Sequence, residues 1–167
     1  KINYFDNRKV YKKFTENSLD KKQFFKPKCI LIGTKHLPHT FSYYKNLYIN
    51  TLLEINRKYS YSPEQILFFL HPRDESVYID ELEKSLVNYS KISTISPIVV
   101  ENYLSQSNLE TVVGTFSSAL YYAKSIFNKS HVCYIENFQE PNESKKNYIE
   151  YREAFHLLGV KKFDDQL

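Results

Sequence analysis

Five short apolar runs, each too short for a helix and each followed by a segment with helical spacing, constrain this chain most. They begin at Cys29 (Cys29-Ile30-Leu31-Ile32-Gly33-Thr34), Ile66, Ile92, Thr111 and His131. Continuous apolar runs of this length, rich in β-branched and aromatic residues, are what strands buried on both faces require. Between them the period changes. Phe41, Tyr44, Tyr48, Leu52, Ile55 and Tyr59 keep one face of a helix, and Ile79, Leu82 and Leu86 do the same within Val77 to Val87. Ser96-Pro97 reads as an N-cap and N1 pair opening a helix through Leu104. Ser117-Ser118 caps a helix through Phe127, and Ser144 to Leu158 is a helix stopped by Gly159. Connections of this length suit parallel crossovers. The expectation is a three-layer, Rossmann-like α/β domain with a mainly parallel sheet.

Composition supports that reading and removes others. At 167 residues with 42% hydrophobic and 16% aromatic content, the chain fits one core-forming domain and not a disordered one. No stretch approaches 18 apolar residues and no leader pattern opens it, so neither a membrane span nor a cleaved signal is expected. Cys29 and Cys133 both lie in strand-like runs and read as buried thiols in a reducing cytoplasm. Residues 1–28 carry net +6 and the remainder −2, so 1–28 reads as a basic lead-in and 29–167 as the domain. A positive segment beside a near-neutral domain suits an anionic membrane surface or glycan. Nucleic acid fits poorly, because the aromatics fall at core spacings. The chain has no Met, even at position 1, and is read as a piece of a longer protein.

The candidate chemistry gathers just past the strand ends, where ligands of α/β sheets bind. His71-Pro72-Arg73 follows Leu67-Phe68-Phe69-Leu70: an imidazole at a strand mouth, a stiff exit and a positive charge, suited to a phosphate. Ser117 and Ser118 offer hydroxyls and free N–H groups at a helix start. With no glycine-rich phosphate loop beside them, a monophosphate suits that site better than a triphosphate. Glu101, near the start of its helix, is placed to accept from ribose hydroxyls. His36 and His39 flank Pro38 in the first loop, where a histidine could act as a base. No metal-ligand spacing accompanies them. Asp164-Asp165 reads as a solvated end.

In order, Leu31-Ile32-Gly33-Thr34, His71-Pro72-Arg73, Ser96-Pro97 through Glu101-Asn102-Tyr103, Phe116-Ser117-Ser118-Ala119-Leu120 and Phe163-Asp164-Asp165 resemble the C-terminal half of bacterial sialyltransferases of glycosyltransferase family 52. The resemblance runs from about Lys28 to Leu167. It implies one half of a two-domain GT-B glycosyltransferase, completed by an N-terminal half. It further implies transfer of sialic acid from CMP-sialic acid to a galactose-type hydroxyl of lipooligosaccharide or capsule, with inversion and without cofactor or metal. By that resemblance His71 stabilises the departing CMP phosphate, Ser117 and Ser118 hold it, Glu101 takes the ribose, and Pro72 with Arg73 shapes the nucleotide site. His36 stands where relatives place a catalytic Asp, and an imidazole base is workable at neutral pH. Such enzymes commonly work as dimers near the inner face of the membrane. The family's Asp-Asp-Gly pattern belongs to the N-terminal half and has no match here.

Two other readings stay open. A UDP-sugar-dependent glucosyltransferase would want more positive charge near Ser117 than Arg73 and Lys124 provide. A non-catalytic α/β binding module of receiver type would want an acidic cluster after the first strand, and Ile32-Gly33-Thr34 offers none.

Overall fold

The computed structural model describes residues 26–71, 73–93, 100–115, 117–136 and 144–164. Six parallel strands form one sheet in the order β3-β2-β1-β4-β5-β6. They are β1 (Cys29–Ile32), β2 (Ile66–Phe69), β3 (Lys91–Ser93), β4 (Thr111–Gly114), β5 (His131–Tyr134) and β6 (Lys161–Lys162). The helices between them are α1 (Phe41–Tyr59), α2 (Ser76–Leu86), α3 (Val100–Leu104), α4 (Ser118–Ser125) and α5 (Ser144–Leu158). A short 3-10 turn at Pro63–Gln65 leads into β2. The expected Rossmann-like three-layer architecture is the one observed.

The strand runs are apolar throughout because both faces are covered. Cys29, Leu31, Ile66, Phe68, Val113 and Cys133 point to one face, under α1 and α2. Ile30, Ile32, Leu67, Phe69, Val112 and Val132 point to the other, under α3, α4 and α5. Alternation with period two is what sorts them. The α1–α2 face is built from large rings, with Tyr48 and Phe68 fully buried and 4.8 Å apart between centroids. The opposite face is closed by Tyr103 and Leu104 of α3, Phe155 of α5 and, on α4, Leu120 with the small Ala119 and Ala123. Each fully buried large side chain stabilises the fold by about 1.5–3 kcal/mol. Both cysteines are buried and form no disulfide, as expected, and burial lifts the Cys133 thiol to about 11.

Where the boundaries differ, local physics gives the reason. The α4 helix stops at Ser125, two residues before Phe127, and Asn128 then takes a left-handed turn (φ 48°). Gly159 ends α5 at φ 75°, a region where glycine carries no Cβ penalty. The β6 strand had no apolar signal. Lys161–Lys162 pairs with Cys133 and Tyr134 of β5 through backbone groups alone, and charged lysines suit an exposed sheet edge.

Candidate active site

The strand order reverses between β1 and β4. Strand β1 feeds leftward to β2 and β3, and β4 feeds rightward to β5 and β6, so the loops leaving β1 and β4 diverge at this switch point, the place where sheets of this kind hold a ligand crevice. In register, Ile32 stands opposite both Phe69 and Gly114. The loops carrying His36, His71 and Ser117 therefore leave the sheet at one level. With strands about 4.8 Å apart, the β2 and β4 loops start roughly 10 Å from each other. Packing is tight here: a Cβ on Gly114 would sit 3.0 Å from Ile32 Cβ and 3.2 Å from its carbonyl oxygen.

His71 follows the last buried residue of β2 and is half-buried. Its Nδ1 accepts a hydrogen bond from the Arg73 N–H (3.2 Å), so the neutral ring carries its proton on Nε2. Its carbonyl accepts from the Asp74 N–H at 3.0 Å. Desolvation holds the imidazole below its ordinary value; Asp74 opposes that shift, and Arg73, His36 and Lys35 add to it. At neutral pH His71 is an uncharged Nε2–H donor, and Arg73 is an exposed cation two residues on.

His36 is placed differently. It is only 3% exposed, inside a ring of Phe41, Tyr44, Tyr48 and Tyr78 whose centroids lie 5.4–6.1 Å away. Its backbone N–H donates to Asp74 Oδ1 at 2.9 Å, and its Nδ1 lies 3.0 Å from the same oxygen. No aligned hydrogen bond reaches either ring nitrogen among the described residues. The preceding turn is pinned by the Thr34 N–H donating to the Tyr48 hydroxyl (2.9 Å). The base expected at this position is thus an enclosed imidazole. Asp74, whose side chain is fully buried, escaped the sequence reading. Its signal was its place directly after His71-Pro72-Arg73, where an acid reads as ordinary loop polarity.

Ser117 is the N-cap of α4, with extended backbone (φ −140°, ψ 140°) and its Oγ accepting from the Ala119 N–H at 3.2 Å. Ser118, the first helical residue, is exposed. The two hydroxyls thus divide: one closes the helix end, the other faces solvent beside it. Glu101 lies in the first turn of α3, half-buried, past the end of β3. His39 is exposed, and Phe163 is buried in the α1–α2 face. Pro72, Ser96, Pro97, Phe116 and Asp165 lie outside the described residues.

A cleft of about 710 Å³ opens further along the same edge, between β5, β6 and α5. Tyr134, Glu136, Arg152, His156 and Lys162 line it, and Glu136 pairs with Lys162 at 2.6 Å. It mixes both signs of charge and stands apart from the switch point. Among the described residues, no three metal-ligating side chains gather, and no helix is long and apolar enough to cross a membrane.

A family model described as alpha-2,8-polysialyltransferase (POLYST) matches residues 3–136. That span takes in all three histidine- and serine-bearing loops of the crevice, and starts within the basic segment. It is a different family from the one the motifs resemble, though the two share sialyl transfer. No curated protein matches the chain.

Proposed function

Because the chain belongs to the alpha-2,8-polysialyltransferase family and so is a sialyltransferase-type glycosyltransferase, we propose that it binds CMP-sialic acid across the switch-point crevice. The observation that carries this is His71, held as a neutral Nε2–H donor across the crevice from the Ser117-Ser118 helix start. In this reading the phosphate of CMP sits between them. The bond from the sialyl anomeric carbon to the phosphate oxygen breaks, and the acceptor hydroxyl attacks from the opposite side. The anomeric centre inverts, and the hydroxyl proton passes to a base.

The residue roles follow the family resemblance together with the placement of the described residues. Charge collects on the departing phosphate, and fixed donors stabilise it without reorganising, which is where electrostatic catalysis is largest. His71 donates from Nε2, Ser118 and the first N–H groups of α4 hold the phosphate, and Arg73 adds positive charge. Glu101 takes the ribose, and Pro72 shapes the base site. The neutral tautomer fits hydrogen-bond stabilisation better than full proton transfer, because Nδ1 is already engaged. The proton acceptor is a residue other than His36, whose ring is enclosed.

The matched family's description favours the 8-hydroxyl of a terminal sialic acid over a galactose-type hydroxyl as acceptor. The remaining elements of the proposal are a second, acceptor-binding half in a GT-B arrangement, metal-independent turnover, and attachment to an anionic membrane face through residues 1–28.

Calorimetry of the chain with CMP and UDP, alongside His71→Ala, tests the donor site. Selective CMP binding that the variant loses is the expected result; preference for UDP would move the assignment to a glucosyltransferase. Assays with sialyl- and galactosyl-terminated acceptors, with and without EDTA, decide the acceptor and the metal requirement.

A further inference from the structure

Asp74 is the buried charge that the donor site, as described, does not use. Its carboxylate is fully enclosed, yet it has no lysine or arginine partner among the described residues. Oδ1 accepts the His36 N–H and lies 3.0 Å from the His36 ring, whereas Oδ2 has no hydrogen-bond partner among them. A buried carboxylate held this way is costly unless its surroundings are fixed, so it is an improbable residue to find without a job. Its connections show the job. Through its side chain it grips the β1 loop; through its own N–H it grips the His71 carbonyl at 3.0 Å. One residue before it, the Arg73 N–H sets the His71 ring.

We propose that Asp74 is a positioning residue: a clasp between the β1 and β2 loops that fixes the His71 imidazole at the crevice. This rests on the donor-site reading above. The Asp74 carboxylate acts on His71 from behind, opposing the desolvation that pulls its proton affinity down, while Arg73, His36 and Lys35 pull it down further. The groups around the clasp are otherwise neutral rings, with Tyr44, Tyr48 and Tyr78 packed against His36. Burial holds the Tyr48 and Tyr78 phenols above their ordinary range, so they carry no charge at neutral pH. Among the described residues Asp74 is therefore the sole anion of the groups that tune His71.

The test is Asp74→Asn, which keeps an oxygen for the His36 N–H and removes the charge. In the ¹⁵N-imidazole spectrum of the wild-type chain, His71 should be the Nε2–H tautomer. In the variant its titration midpoint should move to lower pH, and kcat should fall about tenfold or more with a smaller change in KM for the donor. An unchanged His71 midpoint and unchanged kcat would overturn the proposal, whatever the variant does to stability. If Asp74→Asn does not fold, the wild-type chain decides: slow exchange of the His36 amide supports the clasp, and exchange at the solvent rate removes it. The spectra do not depend on turnover. A clasp that holds in a chain with no CMP affinity would therefore condemn the donor reading and leave Asp74's role standing.

Discussion

The loops after β1 and β2 leave neighbouring strands at the same level, and each carries a histidine within four residues of the strand end. One ring, His36, is closed in by four aromatic residues; the other, His71, is half in solvent with its tautomer set by a backbone N–H. The difference lies in the course the chain takes after each ring. After β1 the chain turns into α1, whose Phe41, Tyr44 and Tyr48 fold over the loop and supply the cage. After β2 the Asp74 side chain turns inward, leaving His71 at the mouth. Two histidines at one sheet edge thus divide into an enclosed member and a half-exposed one.

That division is easiest to break with the pair of alanine substitutions. His71→Ala should lower kcat by about a hundredfold or more, with the thermal midpoint nearly unchanged, as read by a donor-turnover assay beside a melting curve. His36→Ala should do the reverse. Emptying the aromatic cage and stripping Asp74 of its nearest ring should cost about 3 kcal/mol in urea unfolding. If both variants lost the same property, the two loops would not be specialised.

The β4 side of the crevice sharpens the comparison. Gly114→Ala would press on Ile32, and should cost about 1–3 kcal/mol of stability. Ser117→Ala should cost about 1 kcal/mol, the usual value of an N-cap. Ser118→Ala should leave stability alone and weaken CMP binding, read by calorimetry. The smallest effect is a pH dependence. The His71 proton affinity is depressed in the fold, so between its folded value and about 6.5 the unfolded chain binds more protons. Stability from this group is complete above about 6.5 and drains away as pH falls through the folded value. His71→Gln should flatten that part of the stability profile.

Much of this was legible in the residues. Cys29–Ile32, Ile66–Phe69 and Thr111–Gly114 are strands because four consecutive apolar residues need two covered faces. Ser117 announced a helix start, and it is one. His71 at a strand mouth was read from the apolar run before it. What the residues did not reveal was which histidine would be swallowed. His36 and His71 look equally polar in the sequence, and burial is a property of the neighbours that fold over them. Asp74 was passed over for the same reason, since an acid after Arg73 resembles any loop charge. The β6 strand was missed because backbone pairing at an edge asks nothing of side chains.

The sequence alone determined the alternation of strand and helix, and with it the edge of the sheet where polar residues collect, because period and chain length are local properties. The tertiary structure decided the strand order that makes β1 and β4 neighbours, and therefore where the crevice opens. It also decided the contact between His36 and Asp74, separated by 38 residues, and so which histidine is enclosed. Those are long-range contacts. Only the packed sheet brings their partners within reach, so no window of the sequence contains them.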